Sequence, residues 1–169
     1  MIFPEKQIIV TIMKEPQALN QVAEFHRTFK HPNLDTPQIP SEKRCRLRVA
    51  LIAEELKELE AAIKDNDLVE VADALCDIQY VLSGAILEFG LGEKFHELFD
   101  EVQRSNMSKS CDTIEEAEET IRHYKENHDT ICHLEKSDGH YLVYRTEDQK
   151  TIKSINYSPA DLKSILEPR

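Results

Sequence analysis

Two long stretches in the middle of the chain set its pattern of apolar and polar positions. In LIAEELKELEAAIK, beginning at Leu51, the apolar residues Ile52, Leu56, Leu59 and Ile63 recur at spacings of three and four, one stripe of a helix. In DLVEVADALCDIQYVLSGAILEF, beginning at Asp67, a second stripe runs through Leu68, Ala72, Leu75, Leu82 and Ile86. Val69, Val71, Ala74, Cys76, Ile78 and Val81 fill much of the rest of that helix. A helix that is apolar nearly all round is expected to be buried. The first stripe therefore predicts a core face, and the second segment predicts a core helix with Cys76 as a small packing residue.

The remaining elements follow from similar signals. IIVTIM, at residues 8–13, is β-branched and leaves strand and N-terminal extension both open. Pro16 fits the first turn of a helix through QALNQVAEFHRTF, with Leu19, Val22, Ala23 and Phe29 toward the core. His26 on that helix reads as a packing or hydrogen-bonding residue. Pro32, Pro37 and Pro40 make HPNLDTPQIPSE an extended loop, after which Ser41 caps the first acidic helix. Residues 65–67 form a turn, with Asp67 capping the second helix, and Gly90 and Gly92 stop it near Phe89. EKFHELFDEVQRSNM is amphipathic, with Phe95, Leu98, Phe99 and Val102 on one side. Asp112 or Thr113 opens a surface helix carrying Glu115 and Glu116 in its first turn. Two short runs around Ser137-Asp138-Gly139 predict a hairpin, and SPADLKSIL a short closing helix begun by Ser158 and Pro159. The class is all-α: a bundle of four to five helices with a small C-terminal β-hairpin, in one domain over residues 1–169.

Acidic residues change the picture. Glu54, Glu55 and Glu58 sit together beside the first stripe, and Glu70, Asp73 and Asp77 share one face of the second helix. No Lys or Arg lies between Asp67 and Ser83. Three carboxylates on a buried helix without a cation would each cost several kcal/mol in desolvation, or would have to be protonated. A bound hard cation, Mg²⁺ or Mn²⁺, keeps them ionised. The alternative is an exposed acidic helix with pairs such as Glu54 or Glu60 with Lys57 or Lys64. The first helix leaves that alternative open; the second lacks such partners.

At 169 residues the chain has room for one full hydrophobic core. Its net charge of −11 is concentrated: residues 50–125 hold 19 Asp and Glu against 7 Lys and Arg. That balance disfavours nucleic acid as a partner, while an anionic small molecule remains possible if metal ions reverse the local field. Cys45, Cys76, Cys111 and Cys132 form no CxxC motif. The start MIFPEKQIIV lacks the long apolar region of a signal peptide, and no apolar run approaches the roughly 18–20 residues of a membrane span. The default expectation is a cytoplasmic protein with reduced thiols and no membrane partner.

EELKE followed after eleven residues by EVAD reads EExxE…ExxD. This resembles the metal signature of the all-α nucleoside triphosphate pyrophosphohydrolases, which include the MazG-like proteins, dimeric dUTPases and phosphoribosyl-ATP pyrophosphohydrolases. VAEFHRTFKHPNLDTPQIP, RLRVALIAEELKELEAAI, EVADALCDIQYVLSGAILEFGL, SNMSKS and DQKTIKSINYSPADLKSIL, in that order, resemble a MazG-like, phosphoribosyl-ATP pyrophosphohydrolase-like subgroup. The likeness defines a core over about 17–110. Residues 111–143 fit least and read as an insertion holding a helix and the start of the hairpin, with 144–169 as a tail packing on the core.

The resemblance implies that Glu54, Glu55, Glu58, Glu70 and Asp73 hold Mg²⁺, with Mn²⁺ as a possible substitute, on a nucleoside triphosphate. It implies hydrolysis of the α–β phosphoanhydride to a nucleoside monophosphate and pyrophosphate, in house-cleaning of non-canonical or deoxynucleotides. Glu54 or Glu55 would take a proton from the attacking water. Asp77 reads either as an outer-shell residue orienting a ligand or as a residue facing a partner helix. Asn106 and Lys109 resemble the family's substrate side, and Lys150, Lys153 and Tyr157 are further candidates for phosphate or base contacts beside their ordinary surface and packing roles. Arg44, Arg46 and Arg48 suit phosphate or salt bridges equally. Family members are dimers or tetramers, and helices apolar over more than one face agree with a homodimer. Two other readings stand beside this one: the phosphoribosyl-ATP step of histidine biosynthesis, and a non-catalytic acidic helical metal-binding or adaptor module.

Overall fold

The computed structural model describes residues 13–167, so the run at 8–13 lies outside the described residues apart from Met13. The chain divides into two compact units, one ending at Gly92 and the next beginning at Glu93. Among the described residues there are six α-helices and one two-stranded antiparallel sheet. The sixth helix is the short C-terminal one, which takes the number beyond the four or five expected. No single described helix is long and apolar enough to cross a membrane.

The first unit contains α1 (Ala18–Phe29), α2 (Glu42–Lys64) and α3 (Leu68–Glu88). Helices α2 and α3 pack along each other as a hairpin, and α1 packs on α3. Pro16 lies just outside α1, where Gln17 is the N-cap. Ser41 occupies the N-cap of α2 through its carbonyl, which accepts from the Arg44 and Cys45 amides, and its hydroxyl makes no cap bond. Asn66, at φ 55°, turns the chain back. The Asp67 carboxylate then accepts from the Val69 and Glu70 amides at 3.0 and 3.2 Å, the cap expected of it.

The C-terminal carbonyls of α3 would be left without helical partners. The loop after α1 supplies two of them: the Leu34 amide donates to Leu87 and the Gln38 amide to Phe89, both at 3.0 Å. This stitching brings the Thr36 carbonyl so close to Gly90, at φ +69°, that a Cβ there would overlap it.

Burial corrects the apolar reading of both long helices. The C-terminal half of α3 is buried at Ser83, Gly84, Ile86 and Glu88. Its N-terminal half is buried only at Ala74: Leu68 is 80 % exposed, Val69 75 % and Leu75 52 %, and Cys76 is exposed. On α2, Leu56 and Ile63 are exposed as well, 50 % and 62 %. Periodicity places these residues on common stripes correctly, but three helices are too few to cover a helix that is apolar all round.

The second unit contains α4 (Phe95–Met107), α5 (Ile114–His128), β1 (Cys132–Ser137), β2 (His140–Arg145) and α6 (Leu162–Leu166). Asp138 and Gly139, both at positive φ, make the two-residue turn of the hairpin, with Ser137 paired to His140. Thr113 caps α5 by accepting from the Glu116 amide, while the Glu116 carboxylate accepts from the Asp112 amide, close to a capping box. Helix α5 is not a pure surface helix as expected. Its Ala117 and Thr120 are fully buried, and Ala117 joins Cys111, Val143 and Ile152 in the core of this unit. Cys111 and Tyr141 exchange backbone bonds at 2.8 and 2.9 Å, and Val143 accepts from the Ile152 amide at 2.8 Å. The segment that fits the family pattern least and the tail that follows thus share one core. Helix α6 starts at Leu162 behind an Asp161 cap, later than Ser158 and Pro159.

Candidate functional site

The α2–α3 hairpin carries the acidic residues. Glu54 and Glu58 are exposed and Glu55 half-buried on α2, and Glu70, Asp73 and Asp77 are exposed on α3. The pairs that an ordinary solvated helix would use are not made. Among the described residues, none of these six carboxylates has a Lys, Arg or His within ion-pair distance, whereas Glu42, Glu88, Glu101 and Asp148 each have an arginine.

Glu55 is the focus of the cluster. Partial desolvation pushes its carboxyl above the usual carboxylate range, and Glu58, Asp77, Glu54 and Asp73 push in the same direction, in that order. Helices α2 and α3 therefore bring five of the acidic residues into one uncompensated field. Glu70 is not among the charges acting on Glu55; it sits in the first turn of α3, where the helix dipole favours a carboxylate. The carboxylates stand side by side, and among the described residues no three converge on one point closely enough to hold an ion. An all-oxygen, anionic donor set whose field penalises the charge on Glu55 nevertheless has the chemistry of a site for a hard divalent cation.

The arginines of α2 are engaged elsewhere. Arg44 and Arg48 both bind Glu88, which is 1 % exposed, Arg44 through Nε to Oε2 at 2.9 Å, and Arg46 pairs with Glu42. Burial by itself would push Glu88 up, but hydrogen bonds from Arg44 and Arg48 hold it below the carboxylate range. Arg48 also donates to His26 Nε2 at 3.2 Å, so the Nδ1–H of His26 donates to the Pro32 carbonyl at 2.9 Å and to Asn33 Oδ1 at 3.0 Å. Burial holds the pKa of His26 down. His26 is thus a satisfied core histidine, as expected. Glu88 was missed by sequence reasoning, although a lone carboxylate in the apolar run LSGAILEF, with three arginines upstream, is the signal for a buried ion pair.

In the second unit, Asn106, Lys109, Lys153 and Tyr157 stand close in a small polar knot. Lys109 Nζ donates to Asn106 Oδ1 at 2.8 Å, and the Lys109 carbonyl accepts from the Ser154 amide at 3.2 Å. The Tyr157 hydroxyl pairs with Ser105 Oγ at 3.0 Å, and Lys153 Nζ lies 4.3 Å over the Tyr157 ring. Lys150 belongs instead to the turn after β2, where its carbonyl accepts from the Arg145 amide.

A profile of the family described as phosphoribosyl-ATP pyrophosphohydrolase matches residues 22–106, half of the chain, from within α1 to the end of α4. The matched span holds all six carboxylates. The chain is also similar to the uncharacterized protein L479 of Acanthamoeba polyphaga mimivirus, 25 % identical over 236 aligned positions that cover 86 % of this chain and 94 % of the relative. Carboxylates at EExxE…ExxD on a two-helix hairpin, within a profile match across half of its length, place this chain in the phosphoribosyl-ATP pyrophosphohydrolase family of the all-α nucleoside triphosphate pyrophosphohydrolases.

Proposed function

We propose that the protein is a Mg²⁺-dependent nucleoside triphosphate pyrophosphohydrolase, releasing pyrophosphate and a nucleoside monophosphate, and acting on non-canonical or deoxynucleotides. The observation that carries this reading is Glu55, whose carboxyl feels the charges of Glu58, Asp77, Glu54 and Asp73, with no cation paired to any of them among the described residues. A fold that only needed solubility would gain nothing from so many like charges at close quarters. Membership of a pyrophosphohydrolase family supports the reaction class.

Glu54, Glu55, Glu58, Glu70 and Asp73 are the residues that would hold the metal. When bound, Mg²⁺ would neutralise phosphate oxygens and acidify a coordinated water. The chain's own part is then to position and to move one proton. Water attacks the α-phosphorus, its proton passes to a carboxylate, and the α–β bridging oxygen leaves with pyrophosphate. Glu54 or Glu55 is the carboxylate proposed to take that proton. Lys109 and Asn106, with Lys153 and Tyr157, are the proposed phosphate and substrate contacts. The exposed apolar faces of α2 and α3 support a homodimer.

Membership of a phosphoribosyl-ATP pyrophosphohydrolase family makes phosphoribosyl-ATP the second substrate candidate. One assay separates the readings: pyrophosphate release from canonical and modified nucleoside triphosphates and from phosphoribosyl-ATP, with and without Mg²⁺ or Mn²⁺. Metal-dependent release from triphosphates is expected. Release from phosphoribosyl-ATP alone would move the protein to the second reading, and no release from any of them would leave a non-catalytic metal-binding module.

A further inference from the structure

A cavity of about 240 Å³ opens in the first unit between α1, α2 and α3. Three rings form one side of it. Phe25 and His31 stack with centroids 5.7 Å apart and 12° between planes, and Tyr80 meets Phe25 edge-on at 5.6 Å and 84°. Leu47 and Leu51 of α2 add aliphatic wall, and Arg44 and Arg48 bring the polar atoms. Its rings lie in stretches that carry the family likeness, but the acidic chemistry uses none of them.

Arg48 gives it a specific chemistry. The residue is 7 % exposed, its Nη2 is spent on Glu88 and His26, and its Nε–H is buried with no partner among the described residues. A buried donor left unmet is unfavourable, so an occupant that brings an acceptor relieves a cost already present in the fold. The charge around it is that of two arginines against one Glu88, with His26 kept neutral, which favours an electron-rich acceptor over a cationic group. Aromatic walls select a planar ring.

Position ties the cavity to the carboxylates. Leu47, Leu51, Glu55 and Glu58 follow one another at spacings of four, four and three on α2, and Tyr80, Asp77 and Asp73 do so at three and four on α3. Residues so spaced share a helix face, and each step is one turn, about 5.4 Å. The cavity wall and the acidic cluster are thus consecutive turns of the same two faces.

We propose that this cavity is the base subsite, taking a carbonyl-bearing nucleobase against Phe25, His31 and Tyr80 with Arg48 Nε–H donating to the base carbonyl. The proposal rests on the nucleotide reading above and sharpens it. Uracil, thymine, cytosine and guanine offer a ring carbonyl; adenine does not, and is the base this site discriminates against.

The test uses full-length protein in EDTA, so that neither metal nor phosphate takes part. Deoxyuridine, thymidine, deoxycytidine, deoxyguanosine and deoxyadenosine are titrated as nucleosides, following the ligand by saturation-transfer NMR and the His31 ring protons by chemical shift. Carbonyl-bearing nucleosides should bind and shift His31, deoxyadenosine at least fivefold more weakly. Phe25→Leu and His31→Ala, at positions partly open to solvent, should each weaken binding tenfold or more with the helical circular dichroism intact. Arg48→Lys keeps the charge but removes Nε–H, and should erase the preference against deoxyadenosine; if it does not fold, the first two variants decide. No nucleoside binding, binding indifferent to both variants, or deoxyadenosine binding as well as the rest would each overturn the proposal. Pyrophosphate release by the same protein with Mg²⁺ reports on the reaction alone: nucleoside binding without release sinks the hydrolase reading and leaves the cavity standing, and release without base binding does the reverse.

Discussion

Replacing Glu58 by Gln or Asp73 by Asn removes one charge from the acidic hairpin with almost no change in shape. Outer-shell partners of a metal site typically cost 10–100-fold in affinity or activity when lost, so a direct ligand should cost more, roughly a hundredfold or greater in turnover. Both side chains are exposed and unpaired among the described residues, so circular dichroism and urea midpoint should stay near wild type. Near-normal metal-dependent release of pyrophosphate by either variant would remove that residue from the ligand set. Glu88 presents the opposite case, a carboxylate whose loss is structural. Glu88→Gln strands Arg44 and Arg48, and breaking a buried pair by removing one partner costs about 3–5 kcal/mol. Its acid titration follows. Burial holds His26 below its ordinary 6.5, and the arginines hold Glu88 below its ordinary 4.5, so below those values the unfolded chain binds protons that the folded one refuses. Stability should begin to fall as pH drops through about 6.5 and fall further below about 4.5. Urea midpoints measured from pH 8 to pH 3 check this; Glu88→Gln should start lower and show a smaller fall below 4.5, the remainder belonging to Glu101 and Asp148, which their arginines hold down to about 2.

At the scale of elements, turns and caps separate local strain from tertiary conflict. Gly139, at φ +83°, has nothing within 4 Å of an added Cβ, so Gly139→Ala should cost only the left-handed backbone penalty, about 1–2 kcal/mol. At Gly90 an alanine meets the Thr36 carbonyl as well, and the loop stitched to the end of α3 must peel away. Thermal melts should show Gly90→Ala losing far more than Gly139→Ala, and similar losses would mean that the Leu34 and Gln38 bonds do not hold the loop. These features are also where the sequence was most legible. Asp67, Thr113 and the Asp138-Gly139 turn act through atoms two or three residues away, so their chemistry can be read from a few letters. Ser158 and Pro159 misled because a later residue, Asp161, captures the Ser164 amide. The arginine–Glu88 cluster was harder to read, because its partners lie 40 and 44 residues apart and nothing local joins them.

For the whole molecule, the acidic candidates were legible as residues on faces, but burial was not, because burial depends on how many neighbours arrive. Helix α3 has the composition of a core helix, yet Leu68, Val69 and Leu75 are exposed, and Leu56 and Ile63 of α2 with them. Monomeric soluble proteins seldom expose so many large apolar side chains on adjoining helices without an interaction that covers them. A second copy of the chain is the occupant that suits the proposed function, since self-association would bury these faces and desolvate the acidic cluster beside them. Wild-type protein should therefore run as a dimer or larger assembly in size-exclusion chromatography with light scattering. Leu68→Glu combined with Leu75→Glu adds two charges where the isolated unit has solvent, so helix content should survive. Assembly should not, because an unpaired carboxylate buried at an apolar interface costs several kcal/mol. Turnover should fall with it if the cluster depends on that covering, and a monomeric double variant of full activity would show that each chain carries a complete site. A wild-type chain that stays monomeric at micromolar concentration would leave these leucines without a partner and the homodimer without support.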